Sequence, residues 1–418
     1  MLDLKLIRED TDMVRAGLLK RLDPTEFNLE AIISLDNERR LLLKEIEQRQ
    51  AVRNQASKSK PTSETIGALR TEGDNIKKLE EKLSPIEEEL NRLLSELPNL
   101  PAPDVIAGGK ENNEVIYTYG SKPKTNFALL DHVELATKLD LIDYERATKM
   151  SGNGFWCYTG NGALLEWALL SYFIDFHTRN SYRFLIPPFL LSEHSAYTSG
   201  HLPKFRDDLY WTQDKLCLNA TSEMMLGNYH RDEILPEKDL PLKYFAYSSC
   251  FRREAGSYRQ EERGMVRGHQ FNKIEMFIFC RPEESNLMFD ELVKNAQSLI
   301  EGLGLHFQIS KLAAGDCSAA MTKTYDLEVY LPSMGIYKEV SSVSNAGDYQ
   351  ARRGQVRFKS INGKNEFVHT LNASGLATSR LLPAILEQNQ QPDGSVLIPE
   401  ALHRYLPASL TVLKAKKN

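Results

Sequence analysis

Ile76, Leu79, Leu83, Ile86, Leu90, Leu93 and Leu97 follow one another at alternating steps of three and four, and no other feature constrains the chain as strongly. Such steps lay one apolar seam along a helix, and a seam in water needs a second helix to cover it. The stretch from about Leu29 to Ser57 is helix-forming, charged and poor in glycine and proline, and Pro61, Thr62 and Ser63 interrupt the chain before the second run begins near Glu64. The pattern predicts an antiparallel two-helix coiled coil over about residues 28–97. At about 1.5 Å per residue, a run of roughly thirty residues is on the order of 45 Å long, so the pair projects as an arm. Pro85 removes a backbone donor from the second helix, where it is expected to interrupt and kink the rod.

Charge is distributed unevenly along this arm. Arg39, Arg40, Lys44, Arg49, Arg53, Lys58 and Lys60 fall on the first helix and tip, whereas Glu80, Glu81, Glu87, Glu88 and Glu89 fall on the second helix. A solvated helix face and a coiled coil that only contacts proteins both fit such runs. The asymmetry favours a phosphate-rich partner near the tip. With a net charge of −5, a nucleic acid would have to be met by such a local basic surface.

At 418 residues, 41% of them apolar and 26% charged, the chain has the size of two or three soluble domains. Residues Pro98 to Lys110, PNLPAPDVIAGGK, concentrate proline and glycine, and place the boundary between residues 1–103 and 104–418. The five cysteines, Cys157, Cys217, Cys250, Cys280 and Cys317, are scattered and form no CxxC pair. A reducing, cytoplasmic compartment and no zinc site are expected. No signal peptide and no membrane span are legible. Neither a Walker loop nor a strand-borne GxGxxG occurs, so the usual phosphate loops are missing.

Beyond the boundary, Leu164 to Arg179 has helical apolar spacing, and Tyr182 to Leu191 reads as a strand broken by Pro187-Pro188. Such a strand belongs at an edge, either in a dimer contact or against the core. Leu218 to Met225 reads as a strand that sets Thr221 and Glu223 on one face, where a hydroxyl and a carboxylate can hold an ammonium group. Tyr247 to Phe279 reads as a hairpin with a long charged loop. Its Arg252, Arg253, Glu254 and Phe271 suit a flat base beside a polyphosphate, and a salt-bridged surface hairpin is the competing reading. Glu284 to Leu303 is predicted helical and Tyr325 to Pro332 a strand. Glu339 and Ser342, expected near a turn, are hard oxygen ligands suited to Mg²⁺ with a substrate's phosphates. Arg380, in the first turns of a helix over Leu376 to Gln388, opposes the helix dipole and implies an anionic ligand.

Together these residues resemble the three motifs of the class II aminoacyl-tRNA synthetases, and the seryl family in particular. The likeness rests on the strand ending in Pro187-Pro188, on FRREAGS at 251–257 with Arg263-Gly264 and HQFNKIE at 269–275, and on GLATSR at 375–380. Thr221-Ser222-Glu223, KEVSSVSN at 338–345, YQARR at 349–353 and HTLNASGLA at 369–377 are more specific to the seryl type. The resemblance also takes in MLDLKLIRE and the arm. It implies an α+β fold, an antiparallel sheet flanked by helices with the N-terminal arm, in a homodimer. The arm would bind the long variable arm of tRNA(Ser), with tRNA(Sec) as a further candidate.

The activity so implied is ATP-dependent formation of seryl-adenylate, followed by transfer of L-serine to tRNA. By the same resemblance, Arg252 grips the α-phosphate, Glu254 accepts from the adenine amine, Phe271 and Arg380 sandwich the base, and Arg263 meets the distal phosphates. Arg253, Val340 and Ser341 complete the ATP site, and Glu339 and Ser342 hold Mg²⁺. Arg252, Glu339 and Arg380 carry the catalysis. Thr221, Ser222 and Glu223 bind the ammonium side of serine, and Glu275 with Ser374 its hydroxyl. The chain departs from the family pattern in the glutamate pair of YRQEER at 258–263 and in Gly268, where a larger apolar residue is usual. Two alternatives share the motifs: a paralogue activating serine or a related amino acid for a non-tRNA acceptor, and a non-catalytic nucleic-acid-binding relative.

Overall fold

A computed structural model describes residues 1–57, 63–255 and 264–415. The chain divides into two compact units, Met1–Leu100 and Pro101–Asn418.

The first unit opens with two short helices, Leu4–Glu9 and Thr11–Leu18, whose first turns are capped by the Asp3 and Asp10 carboxylates. Then come helix α1, Leu29–Ala56, capped by Asn28, and helix α2, Ser63–Glu96. The seam behaves as its spacing requires. Ile76, Leu83, Leu90 and Leu97 are buried, and Ile46 of α1 packs with Ile76 and Leu83. The expected interruption at Pro85 does not occur, because α2 runs through it unbroken with the ring exposed to solvent. Water can serve the carbonyl that the missing N–H leaves unpaired. The basic arm is less free than its sequence suggests. Arg39 pairs with Glu87 at 2.9 Å and Arg49 with Glu72 at 3.1 Å, so both cations tie α1 to α2. Arg40 and Lys44 are exposed and Arg53 half-buried, while Lys58 and Lys60 lie outside the described residues.

The second unit is built on an eight-stranded sheet: β1 Glu114–Tyr119, β2 Arg183–Leu185, β3 Leu242–Phe251, β4 Gln270–Cys280, β5 Phe307–Lys311, β6 Lys323–Leu331, β7 Ile336–Gly347 and β8 His369–Ala377. The spatial order is β1-β5-β6-β7-β8-β4-β3-β2. Every neighbouring pair is antiparallel except β2 with β3. The hairpin read from sequence is β3–β4, in register from Leu242↔Phe279 to Phe251↔Gln270. The proline-broken strand is β2, at the sheet edge, with Pro187-Pro188 just past its end.

Strand alternation decides what each face does. On β4 the even-numbered Ile274, Met276 and Ile278 enter the main core with Leu165, Leu169 and Phe173 of α3 (Gly160–Arg179), Leu292 and Leu299 of α4 (Ser285–Gly302), and Leu381 and Ile385 of α5 (Thr378–Gln388). Its odd-numbered residues point to the other face. There Phe277 and Phe279 join a smaller core with Tyr244, Val356 and Phe358, and Phe271, Lys273 and Glu275 are left to line a cavity. Among the described residues, no helix is long and apolar enough to cross a membrane.

Candidate active site

The cavity encloses about 440 Å³ and is lined by Thr221, Glu223, Arg252, Glu254, Lys273, Glu275, Glu339, Ser342, Asn372 and Ser374, among others. A narrower pocket continues from it past Gly268, Phe271, Val340, Ala377 and Arg380.

Glu339 and Ser342 reach it through a defect in β7. They lie within the strand, not near a turn as expected, and residues three apart on a regular strand face opposite ways. Glu339 pairs with Glu328 but Ser341 with Leu327, which makes Val340 the extra residue of a bulge. The bulge sends Val340 and Val343 together into the main core and leaves Glu339 and Ser342 together on the cavity side. A second register break between Ser374 and Ala377 of β8 places Asn372, Ser374 and Ala377 along the same wall.

Thr221 and Glu223 arrive differently from expectation. The strand ends at Leu218, Thr221 sits in a bend, and Glu223 opens the short helix Glu223–Leu226. The turn still gathers them: the Glu223 backbone N–H donates to Thr221 Oγ1 at 3.3 Å. Gln350 Nε2 donates to Glu223 Oε1 at 2.7 Å. Glu275 accepts from Asn372 Nδ2 at 2.9 Å and Ser374 Oγ at 3.2 Å, and Lys273 Nζ lies 2.6 Å from its Oε2. Burial, with Glu275 close by, pushes the Glu223 carboxyl up to about 7, against the pull of Lys273 and Arg252. His201, also on the cavity wall, is held down to about 3 by burial and by the positive charges of Arg252, Lys273 and Arg353, so it is neutral near pH 7.

At the other end, Arg252 donates from Nε to the Ala220 carbonyl at 3.3 Å, and its guanidinium lies 5.2 Å over the Phe271 ring. Glu254, held at φ 51°, accepts on Oε2 from Arg267 at 2.8 Å. Arg380 sits in the first turn of α5 as expected, and its anionic partner is on the chain itself: Nη1 lies 3.2 Å from Glu339 Oε2. Burial works against the Glu339 charge, but Arg380, Arg252 and Lys273 outweigh it and hold its carboxyl below the usual range. Burial and the nearby Glu339 instead drive the Asp326 carboxyl well above its usual range, and Ser342 Oγ donates to Asp326 Oδ1 at 2.7 Å. Such crowding of oxygens suits a divalent cation. Among the described residues no three His, Cys, Asp or Glu side chains form a metal cluster; Glu339 and Ser342 are hard oxygen donors of the kind that hold an ion only together with substrate phosphates and water.

Not every expected residue reaches the cavity. Arg253 is exposed and turns away, donating to the Asp207 carbonyl at 3.2 Å. Ser222 is buried against Ser248 at 2.7 Å, and Ser341 donates to the Ser374 carbonyl at 2.6 Å, so both support the walls without lining them. All of YRQEER, Arg263 included, lies outside the described residues. Gly268 has a local reason. A Cβ there would fall 2.1 Å from Cζ3 of Trp156, so the indole fills the space that a larger residue at 268 would take.

Comparison with known proteins places this geometry. Residues 1–101 match the model described as "Seryl-tRNA synthetase N-terminal domain", and residues 204–389 match "tRNA synthetase class II core domain (G, H, P, S and T)". The chain is 51% identical to "Serine--tRNA ligase 2" of Clostridium acetobutylicum, over 97% of this chain and 99% of that one. It belongs to the seryl-tRNA synthetase family. The serine–tRNA ligase of Methylacidiphilum infernorum is 43% identical over 97% of this chain and 99% of its own. Among solved structures, the seryl-tRNA synthetase from Pyrococcus horikoshii complexed with ATP superposes with a TM-score of 0.92 at 32% identity, covering all of both chains. A cytoplasmic serine–tRNA ligase from Naegleria fowleri in complex with AMP gives 0.87 at 29%, covering 100% of this chain and 99% of that one.

In this member of the family, the reading of the sequence assigned no role to His201, Arg267, Lys273 and Asn372, which line the cavity, or to Gln350, which donates to Glu223. Lys273 was within reach. It stands two residues from Phe271 and two from Glu275, which on one strand puts all three on one face. Gln350 and Asn372 act through Glu223 and Glu275 across elements distant in sequence, and no local pattern reports that.

Proposed function

We infer that this chain is an ATP-dependent serine–tRNA ligase that forms seryl-adenylate and transfers the seryl group to tRNA(Ser), with tRNA(Sec) as a further candidate. The observation that carries the reading is the polarity of the cavity. Carboxylates and hydroxyls gather at one end, at Thr221, Glu223, Glu275 and Ser374, and guanidinium groups with a flat ring at the other, at Arg252, Phe271 and Arg380. An amino acid with a hydroxyl fits the first end and a nucleotide the second. Attack of a carboxylate on phosphorus needs positioning and charge neutralisation more than a covalent nucleophile, and the lining supplies both. Glu275, already hydrogen-bonded by Asn372 and Ser374, takes the serine hydroxyl. Alanine would leave that buried acceptor short of a partner.

Glu339 and Ser342 would hold Mg²⁺, which would supply neutralisation of the phosphates of ATP. Glu254 takes the adenine amine and Arg263 the distal phosphates. The enzyme works as a cytoplasmic homodimer through the β2 edge, where Phe184 and Ile186 are exposed. Arg40, Lys44, Arg53, Lys58 and Lys60 of the arm, with Arg39 and Arg49, face the long variable arm of tRNA. Serine-dependent exchange of pyrophosphate into ATP tests activation, with threonine and alanine as controls, and acylation of tRNA(Ser) tests transfer. Exchange without acylation would favour the paralogue, and absence of both would reject the reading.

One pH dependence follows. The ionised Glu223 carboxylate attracts the substrate ammonium, and protonation removes that attraction. With the group at about 7 in the free enzyme, kcat/KM for serine should fall by about tenfold per pH unit below that value. Glu223→Gln should flatten the profile and lower its plateau. A wild-type profile flat from about pH 5.5 to about 8.5, roughly one and a half units either side of neutrality, would remove Glu223 from the ammonium site.

A further inference from the structure

Lys273 is 5% exposed, and no role in the reaction has so far been given to it. Its ammonium lies 2.6 Å from Thr221 Oγ1 and 2.6 Å from Glu275 Oε2. An ammonium has three donors, and these contacts use two, leaving one for the cavity that Lys273 lines. Its place on the strand is equally specific. Phe271, Lys273 and Glu275 share one face of β4, each about 7 Å from the next. Phe271 stands in the nucleotide pocket and Glu275 at the hydroxyl end, so Lys273 falls at the level where an amino acid's carboxylate meets the nucleotide's first phosphate.

Charge leads to the same place. The activation step brings one anion onto another: a carboxylate oxygen bonds to the α-phosphorus, and the bond from that phosphorus to the bridging oxygen breaks, releasing pyrophosphate with the electron pair. Arg252 serves the phosphate. At the amino-acid end, Glu223 and Glu275 are both acids, and Lys273 is the cation between them. We propose that Lys273 binds the carboxylate of the amino acid and holds it for attack, using its remaining donor while Thr221 and Glu275 fix its position. This rests on the reading of the cavity as the site of serine activation.

The test compares two ligands. Serine carries ammonium, hydroxymethyl and carboxylate, whereas serinol, 2-amino-1,3-propanediol, replaces the carboxylate with a neutral hydroxymethyl. Calorimetric binding of each is measured on the full-length wild-type protein, K273M and K273R. K273M should weaken serine by about tenfold to a hundredfold, the range of a lost charged hydrogen bond, while serinol binds as it does to the wild type. K273R, which keeps the charge, should recover part of the serine affinity. Equal loss of both ligands in K273M would overturn the proposal and make Lys273 a prop for Glu275 and Thr221. Unchanged serine binding would overturn it as well. Failure of the wild-type protein to bind serine or support serine-dependent exchange would reject the function itself, a separate result.

Discussion

Arg252→Ala is expected to lower serine-dependent ATP–pyrophosphate exchange by about two to three orders of magnitude, the usual cost of deleting a donor aimed at charge that develops in a transition state. Stability should scarcely change. Among the described residues the side chain makes one hydrogen bond, a 3.3 Å contact to the Ala220 carbonyl, and lies over Phe271 at 5.2 Å. Neither contact crosses the main core, and a half-exposed cation over a ring contributes about 1 kcal/mol. Catalysis and folding therefore separate at this residue. Thermal unfolding of the variant should stay within a few degrees of the wild type, about what 1 kcal/mol produces in a domain of this size. Near-normal exchange would remove Arg252 from the α-phosphate, and loss of the folded state would make it a scaffold residue instead.

How far such assignments could be read from the chain depended on whether the information was local. The coiled coil was legible because one periodic seam specifies both its helices and their pairing. The β3–β4 hairpin was legible for the same reason, since alternation on two neighbouring strands carries their register. Side-chain direction beyond these elements was not. Period-two reading assumes a regular strand, so it could not foresee that the extra residue Val340 rotates Glu339 and Ser342 onto one wall. It also turned Leu218 to Met225 into a strand where Thr221 stands in a bend and Glu223 starts a helix. Adjacent residues in a motif share an address without sharing a role. Arg253 follows Arg252 and faces the Asp207 carbonyl, and Ser222 stands between two lining residues yet bonds to Ser248. The charge of the arm was read without its partners. Arg39 and Arg49 looked available to a polyanion, and both answer glutamates on the facing helix. These pairs are solvent-accessible, so each contributes little to stability. A dense phosphate backbone can compete for them.

That competition makes the arm separable from the catalytic unit. Deleting Asn54 to Thr71 removes the end of α1, the start of α2 and the residues between them. It keeps the Arg39–Glu87 and Arg49–Glu72 pairs and the apolar contact of Ile46 with Ile76 and Leu83, so a shortened hairpin can still close through residues 50–53. The loss is of basic residues, Lys58, Lys60 and Arg70. Nothing in the cavity is touched, since its lining comes wholly from the unit beginning at Pro101. Serine-dependent exchange should therefore stay within about twofold of the wild type, the scatter of a change with no named mechanism at the site. Acylation of tRNA(Ser) should fall by more than about a hundredfold, because each lost phosphate contact weakens binding and the contacts act together. The residual acylation should also depend less steeply on salt, with a slope reduced by nearly one unit of log K per contact removed. A structural arm would behave otherwise. Exchange and acylation would then decline in parallel, with the salt slope unchanged, and the arm would have to be regarded as a brace for the fold.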